Sequence, residues 1–337
     1  MKAAVLRAPR DLKIEDVPVP EADYGEVLVR IKSTAICGTD ISFYEGKTEV
    51  DYPRILGHES AGEVVETGDG VNRLKKGDRV VLCPAYYCGS CVACLEGKTG
   101  ICENGGLLGR EFDGTYAEYV AVPEKMALKL PDSISLEEAT TFIVLTTATY
   151  AQRKIDIFAN HSVAIVGEGP AGLMHTQLAK LNGADPVIGI SRSQWKIDLA
   201  VDKYGADYTF NENVVENVME LTGGRGVDYV IECVGKAVTL NQATELVRPG
   251  GTIVSFGITP PQIDGFKSYA LYYKDISLIG SRAMQPVDWP LSIDLAAKGK
   301  IDLGSIITHR IPLDDLEEGF EMMNDRSKKV LRIIVEI

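Results

Sequence analysis

The chain carries a glycine-rich segment, Gly167-Glu168-Gly169-Pro170-Ala171-Gly172, with the spacing G-x-G-x-x-G. It follows a short apolar run, residues 162–166, and opens an amphipathic stretch that reaches Lys180. A strand, a glycine loop and a helix in this order predict a unit in which backbone N–H groups face a pyrophosphate at a helix N-terminus. We therefore assign a cofactor-binding role to Gly167, Gly169, Pro170, Ala171 and Gly172. A turn whose glycines serve packing alone is the alternative.

The region around this loop alternates apolar runs with amphipathic stretches. Residues 186–190, 226–234 and 251–257 are predicted strands, and residues 194–204 and 238–247 are predicted helices. Strands that alternate with helices form a parallel sheet covered on both faces, so the predicted fold class is α/β with a doubly wound sheet. We place this dinucleotide-binding domain at residues 148–282.

The two flanking segments have a different pattern. Up to about residue 140 the chain consists of short β-rich runs broken by glycine and proline, and after about residue 282 it is mixed. We expect residues 1–147 and 283–337 to form one mainly-β domain together. The functional site is expected in the cleft between the two domains.

The end of the second predicted strand bears on the choice of cofactor. NAD-binding sites place an acidic residue there, on the ribose hydroxyls, but this chain has Ser191 and Arg192. A guanidinium binds the 2′-phosphate of NADP, and serine removes the carboxylate that would repel it. The sequence therefore favours NADP over NAD, with both residues in the cofactor site. The alternative is that Arg192 lies on the adenine ring or in solvent.

The charge balance limits the partners. The formal net charge is −13, which disfavours binding to nucleic acid and to anionic membranes. The N-terminal segment lacks the apolar run of a signal peptide, so we expect a reducing, cytoplasmic location. In that setting the seven cysteines point to metal binding more than to disulfides.

Four of the cysteines lie close together, at Cys88, Cys91, Cys94 and Cys102. Their spacing, with glycines between them, is typical of a tetrahedral structural zinc site. Because four thiolates leave no open position, this ion would hold the lobe of residues 84–105 together and would take no part in catalysis. A redox switch and an iron–sulfur cluster are the competing interpretations.

A second constellation lies in the first domain. Cys37 follows an apolar strand, and His58 and Glu59 lie in a separate loop. Thiolate and imidazole are common ligands of first-row metals, and the adjacent carboxylate can bind the metal or support its ligands. Thr39 places a hydroxyl two residues past Cys37, where it can take a proton from a bound alcohol. The alternative is that Cys37 and His58 are ordinary core residues.

These motifs together resemble the zinc-containing medium-chain alcohol dehydrogenases, and most closely the branch of polyol, threonine and butanediol dehydrogenases. The segment from Gly57 to Val71 matches G-H-E-x-x-G-x5-G-x-x-V at every fixed position. The order of Cys37-Gly38-Thr39-Asp40, this segment, the cysteine lobe and the glycine loop also matches. The resemblance covers essentially the whole chain.

The resemblance implies a GroES-like catalytic domain beside a Rossmann domain. It implies that Cys37 and His58 bind a catalytic zinc, with Glu59 close by or ligating, and that Thr39 relays the proton. Thr147 would pack against the nicotinamide. Residues 275–281 resemble the family's edge strand that pairs across a dimer, so a homodimer or homotetramer is expected.

Two positions depart from the family pattern. Ile143 stands where the family supplies a third zinc ligand, and Ser42 stands where many relatives have a histidine at the outer end of the proton relay. Isoleucine cannot bind zinc, so Cys37, His58 and Glu59 would have to supply the three protein ligands. We retain Ser42 as a catalytic candidate at the end of the relay.

The expected function is NAD(P)-dependent interconversion of a small alcohol or polyol with its ketone or aldehyde, by hydride transfer with zinc as a Lewis acid. Ile143 and Ser42 favour an alternative, a zinc-independent NADPH reductase of an activated C=C or C=N bond. A non-catalytic cofactor-binding protein is a third possibility. The substrate pocket is expected to be lined by residues such as Phe43, Tyr44, Phe112, Leu145 and Met284.

Overall fold

The structure is a computed structural model that describes residues 1–337. It separates into two compact units, the first made of Met1–Ile143 with Gln285–Ile337 and the second of Val144–Met284. The first unit is therefore built from both ends of the chain. None of the helices is both long and apolar enough to cross a membrane.

The first unit is mainly β-structure with short helices. From the N-terminus its elements are β1 Lys2–Ala8, β2 Asp11–Asp16, β3 Glu26–Ala35, α1 Gly38–Tyr44, β4 Arg54–Ile55, β5 Ser60–Thr67, β6 Arg79–Leu82, β7 Ala85–Tyr86, α2 Val92–Leu95, β8 Gly106–Leu107, β9 Tyr119–Pro123, β10 Ala127–Lys129 and α3 Leu136–Ala139.

The second unit alternates strands and helices. Its elements are α4 Phe142–Gln152, which begins at the boundary, β11 Val163–Val166, α5 Pro170–Leu181, β12 Val187–Ile190, α6 Gln194–Asp202, β13 Tyr208–Phe210, α7 Val214–Leu221, β14 Val227–Glu232, α8 Ala237–Leu246, β15 Val247–Ser255, α9 Tyr269–Tyr273 and β16 Ser277–Gly280. The chain then returns to the first unit with α10 Asp288–Ala297, β17 Ile307–Pro312, α11 Leu316–Asn324 and β18 Arg332–Glu336.

The main sheet of the first unit brings the two chain ends together. Its strand order is β10-β6-β5-β3-β18-β17, and β9 also pairs with β3. Strand β3 runs antiparallel to β5, with Thr34 opposite Ser60, and antiparallel to β18, with Ala35 opposite Ile334. The segments that leave β3 and enter β5 therefore lie side by side, and the start of β18 lies beside both.

The second unit contains a six-stranded parallel sheet with the order β13-β12-β11-β14-β15-β16. Alternate residues of β11 contribute to two different apolar clusters, Ala164 and Val166 to one, Val163 and Ile165 to the other. This period of two is expected for a strand buried on both faces. The predicted α/β fold class with a doubly wound sheet is thus confirmed.

The order of the strands reverses between β11 and β14, because the chain first builds outward through β12 and β13 and then through β15 and β16. Doubly wound sheets bind ligands beyond the carboxyl ends of the strands at such a reversal. The glycine loop leaves β11 at this point.

Two strand boundaries differ from the predicted ones. Strand β15 begins at Val247, before residues 249–251, and its pairing with β14 is irregular between Val227 and Tyr229. The turn-forming residues Pro249 and Gly250 are thus accommodated inside a strand as an irregularity. Strand β14 ends at Glu232, because its carboxylate accepts hydrogen bonds from the N–H groups of Val234 and Gly235, both at 2.9 Å.

Candidate active site, cofactor loop and zinc lobe

Cys37, His58 and Glu59 form one group in the first unit. Cys37 precedes α1 just after β3, and His58 and Glu59 directly precede β5, so the antiparallel pairing of β3 with β5 brings them together. The sulfur, a ring nitrogen and a carboxylate oxygen of these residues all lie within 4.8 Å of one another. Thiolate, imidazole and carboxylate are the donor types that zinc takes in proteins. The three residues therefore fit a zinc ion with an open position for a further ligand.

Asp40 orients His58. Its Oδ1 lies 3.0 Å from Nδ1 of His58, and its Oδ2 accepts hydrogen bonds from the backbone N–H of Cys37 at 3.0 Å and from the hydroxyl of Tyr116 at 2.9 Å. Asp40 is fully buried. A carboxylate on one ring nitrogen fixes the ring so that the other nitrogen is the one presented to a metal.

The charges of this group favour a thiolate at Cys37. Burial raises the pKa of the thiol, but the His58 ring opposes this and the net pKa of Cys37 is lowered. Burial lowers the pKa of His58, and the neighbouring Asp40 and Cys37 reverse the effect and raise it to about 10. The thiolate is the form in which cysteine binds a metal.

Glu59 forms a buried ion pair with Arg332. The guanidinium Nη2 of Arg332 contacts Oε2 of Glu59, and both residues are almost fully buried. Arg332 lies at the start of β18, next to β3 in the sheet. Its Nε is buried and has no hydrogen-bond partner. The carboxylate of Glu59 is thus held by a cation while it remains within ligand distance of Cys37 and His58.

The other predicted catalytic residues lie on or next to the same elements. Thr39 is half-buried in the first turn of α1. Ser42, one turn further along α1, shares a 2.7 Å hydrogen bond with the hydroxyl of Thr48. Ile143 is buried and offers no metal ligand.

The glycine loop has the geometry of a phosphate cradle. Gly167 has a φ of +104°, and a Cβ on Gly172 would stand 2.1 Å from the carbonyl oxygen of Gly167, so both positions require glycine. A Cβ on Gly169, the N-cap of α5, would meet no protein atom within 4 Å. The backbone at Gly169 is therefore open, beside the N-terminus of a helix whose free N–H groups bind anions. These residues fit a dinucleotide pyrophosphate.

Ser191 and Arg192 follow β12, the neighbour of β11. Arg192 is exposed and forms no ion pair, and the hydroxyl of Ser191 accepts a 3.3 Å hydrogen bond from the N–H of Ser193. In α4, Thr147 is half-exposed and donates a 2.9 Å hydrogen bond to the carbonyl of Val144.

The four cysteines of the lobe converge. Sulfur–sulfur distances are 3.6 Å for Cys88–Cys102, 3.8 Å for Cys91–Cys102 and 4.0 Å for Cys88–Cys94. A disulfide would need about 2.05 Å, whereas tetrahedral zinc with bonds of about 2.3 Å separates its sulfurs by roughly 3.8 Å. Backbone N–H groups of Ser90 and Cys91 point at Cys88, and these contacts lower its pKa to about 5. The lobe fits a structural zinc.

Two family models match the chain. The alcohol dehydrogenase GroES-like domain matches residues 23–132, and the zinc-binding dehydrogenase domain matches residues 170–298. The chain belongs to the zinc-containing medium-chain alcohol and polyol dehydrogenases. It is an oxidoreductase that acts on CH–OH groups, transferring hydride between a small alcohol or polyol and NAD(P).

Named relatives of this dehydrogenase have different substrates. It is 37% identical to L-threonine 3-dehydrogenase of Pyrococcus furiosus, over 92% of this chain and 91% of that protein. It is 33% identical to D-xylulose reductase A of Aspergillus oryzae, over 94% of this chain and 91% of that protein. A solved structure from Sinorhizobium meliloti 1021 is described as a zinc-binding dehydrogenase bound to NADP. It is 31% identical to this chain and superposes on it with a TM-score of 0.92. The match covers 100% of this chain and 99% of that one. The predicted family, GroES-like and Rossmann domains, and class of reaction are confirmed.

Three aromatic residues predicted to line the substrate pocket of the dehydrogenase have other contacts. Phe43 is 2% exposed and belongs to the apolar core built on β1, so its predicted place in the pocket is wrong. The hydroxyl of Tyr44 donates to Glu317, and its ring packs on Phe320. The ring of Phe112 stacks on Tyr86 at 4.0 Å. Core aromatics and pocket aromatics are both apolar, so the sequence alone does not separate them.

Three residues of the Cys37 group were not predicted from the sequence, namely Asp40, Tyr116 and Arg332. A signal existed for Asp40, since an acid three residues after a helix N-cap commonly accepts the N-cap N–H, as it does from Cys37 here. Arg332 stands alone in the apolar run from Leu331 to Val335, and a charge in a buried strand requires a buried partner. No pattern in the sequence marks Tyr116.

Proposed function

We propose that this dehydrogenase holds its catalytic zinc with Cys37, His58 and Glu59 and carries no fourth protein ligand. The observation that supports this most strongly is the convergence of their ligand atoms within 4.8 Å. A zinc ion held there supplies Lewis acidity for the alcohol–carbonyl interconversion. Ile143 removes the ligand that relatives place at its position, so Glu59 becomes the third donor.

The chain's own residues position the metal site and move the proton. Asp40 keeps Nδ1 of His58 engaged, which leaves Nε2 for the metal. Arg332 balances part of the negative charge that Glu59 and the Cys37 thiolate place in a buried region. Thr39, in the first turn of α1, takes the proton of the substrate hydroxyl. Ser42 lies one turn further on the same helix, and its hydrogen bond to Thr48 continues the path outward.

We propose that the glycine loop, with Pro170 and Ala171 at the start of α5, binds the dinucleotide pyrophosphate and that Thr147 contacts the nicotinamide. The open backbone at Gly169 supports the first assignment, and the partial exposure of Thr147 supports the second. The dinucleotide supplies the hydride acceptor and donor.

NADP is the proposed cofactor. Arg192 is exposed, forms no ion pair and follows β12, where an NAD-specific site would carry an acid. We expect Arg192→Ala to lower kcat/KM for NADP⁺ by about 10- to 100-fold, the value of a charge-assisted hydrogen bond, and to leave kcat/KM for NAD⁺ within about twofold. Arg153→Ala, which changes an exposed arginine just after the end of α4, is the matched control. Equal effects on the two cofactors would contradict NADP selection by Arg192.

The proposed reaction is tested with a panel of small alcohols and polyols that includes threonine, and with carbonyl compounds that include D-xylulose, the two compounds named for the relatives above. We expect the wild type to turn over a vicinal hydroxy compound, and we expect His58→Ala to lower that turnover at least 100-fold. Asp132→Asn, an exposed acid of the same unit, is the control. Turnover of activated C=C or C=N compounds that His58→Ala leaves intact would favour the zinc-independent reductase, which the absence of a ligand at Ile143 also favours.

We also propose a homo-oligomer. Strand β16 is the edge of the six-stranded sheet, and Leu278 on it is 42% exposed. An unpaired edge with an exposed apolar side chain readily pairs with a second copy. Light scattering of the purified protein should give at least twice the monomer mass, and Leu278→Lys should reduce it. A monomeric wild type would contradict the assembly.

A further inference from the structure

Glu168 is a buried acid inside the phosphate-binding loop. It lies between Gly167 and Gly169, yet its side chain is 1% exposed. A Cβ on Gly189 of β12 would stand 2.8 Å from its Oε1, and a Cβ on Gly172 of α5 would stand 3.2 Å from its Oε2. The carboxyl group thus occupies space that these two glycines leave open beneath the loop.

The carboxyl group has one hydrogen bond and no cation. Its Oε1 accepts from the hydroxyl of Thr176 on α5 at 2.9 Å, whereas its Oε2 is buried without a partner. No ion pair involves Glu168.

The elements packed around the group place no unpaired positive charge beside it. On α5, burial lowers the pKa of His175 to about 3, so its ring is neutral, and Lys180 is paired with Asp207. Strands β11 and β12 contain no titratable residue, and β13 contributes the methyl group of Thr209 beside Gly189. From the end of β14 come only Glu232 and Cys233, and the carboxylate of Glu232 is already bound by the N–H groups of Val234 and Gly235.

Burial in this setting favours the neutral acid. It raises the pKa of Glu168 to about 8, against a smaller opposing effect of the Thr176 hydrogen bond. A buried carboxylate without a partner is unfavourable in any protein interior. At neutral pH the group beneath the loop is therefore a carboxylic acid.

We propose that Glu168 is a positioning residue of the cofactor site and that the loop binds a dinucleotide tightly only while this carboxyl group is protonated. The inference rests on the proposed assignment of the glycine loop to the dinucleotide. The loop offers its backbone N–H groups to a pyrophosphate. If Glu168 were ionised, the same loop would carry a negative charge one residue away from Gly169. At an effective dielectric of about 20, two like unit charges within about 10 Å repel each other by more than about 1.4 kcal/mol, which weakens binding by at least tenfold.

The number of protons that the protein takes up when it binds the dinucleotide can be measured. Below the pKa of Glu168, the dinucleotide binds a protein that already carries the proton. Above it, binding draws up to one proton from solvent onto the carboxylate, so affinity falls by up to tenfold for each pH unit. The acid donates no proton to the substrate and takes no part in hydride transfer.

The test is titration calorimetry of the whole protein with NADP⁺ and with NAD⁺ between about pH 6.5 and 9.5, in buffers of different ionisation heat. For the wild type we expect uptake of about half a proton per site or more above about pH 8, together with an affinity that falls at least tenfold there. Glu168→Gln keeps the shape without the charge, so its affinity should be independent of pH through this range. Glu168→Met serves as a second neutral variant if the glutamine variant does not fold.

Thr176→Val tests in which direction the pH of the affinity loss moves. Its hydroxyl stabilises the carboxylate, so its removal should move the loss of affinity to higher pH. Burial also lowers the pKa of Lys196. Because Lys196 is present in the wild type and in every variant, its titration affects all of them equally and does not alter the comparison. Equal pH dependence in the wild type and Glu168→Gln, or no proton uptake by the wild type, would overturn the inference while the cofactor site stands. Absence of binding at every pH would overturn both.

Discussion

Asp40 and His58 are joined by a 3.0 Å contact between Oδ1 and Nδ1, and both side chains are buried. This contact selects the ring nitrogen that His58 presents to a metal. It also explains why an aspartate three residues after Cys37 lies at the centre of the group, where it accepts hydrogen bonds from Cys37 and Tyr116 as well. One carboxylate of α1 therefore contacts both Cys37, which precedes this helix, and His58, which precedes β5.

Asp40→Asn should weaken zinc binding at the Cys37 group. The amide cannot stabilise the same ring orientation and tautomer, and loss of such a supporting carboxylate typically costs about 10- to 100-fold in metal affinity. Competition with a chromophoric chelator measures the affinity. The lobe zinc serves as an internal reference, and an unchanged affinity in Asp40→Asn would show that His58 needs no orienting group.

Arg332→Met should destabilise the metal-free protein. Removal of the guanidinium leaves Glu59 as a buried carboxylate without a cation, which costs about 3–5 kcal/mol in comparable buried pairs. Urea unfolding of chelator-treated protein measures the loss. The double variant Glu59→Leu/Arg332→Met removes both charges and should regain most of it. A double variant no more stable than Arg332→Met would contradict the pairing.

Cys94→Ser should abolish zinc binding in the lobe and leave the Cys37 group loaded. The four sulfurs form one closed site, and α2 and its flanking turns have no buried apolar residue of their own to hold them. We expect one zinc fewer per chain and faster proteolysis between residues 84 and 105. Cys233→Ser, outside both groups, is the matched control. A lobe equally resistant to protease without its zinc would contradict a structural role.

Glu168 should make stability depend on pH. Its pKa is about 8 in the folded protein and 4.5 as an ordinary glutamate, so between these values only the folded state holds the proton. Its contribution to the free energy of unfolding is then fully present below about pH 4.5 and is lost as pH rises to about 8, by at most about 5 kcal/mol. The stability of Glu168→Gln relative to wild type should therefore increase with pH over this range. Thermal unfolding followed at several pH values measures it, and a constant difference would contradict the raised pKa.

The main features of the fold were predictable from local patterns. Apolar runs such as residues 163–166 alternate with helical stretches, and the glycine loop opens α5 where the spacing predicts. Strand β15 was harder to place, because Pro249 and Gly250 are turn residues that here sit at an irregularity within a strand. Short elements such as β13 carry too few residues for a pattern.

The site was predictable where its residues form motifs and was not where they meet through the sheet. Cys37, His58 and Glu59 belong to recognisable segments, and antiparallel pairing of β3 with β5 brings them together. Arg332 reaches Glu59 from 273 residues away, through the pairing of β18 with β3. Glu168 fills an ordinary x position of the glycine motif, so only its burial distinguishes it.

We propose that Cys37, His58 and Glu59 hold zinc without a fourth protein ligand. The direct measurement is zinc per chain, by mass spectrometry on protein purified without chelators or added metal, for the wild type, Cys37→Ser and Glu59→Leu. The structure predicts about two ions in the wild type and about one in each variant, the remaining ion being held by the four lobe cysteines. One ion in all three proteins would contradict the claim and favour a zinc-independent reductase.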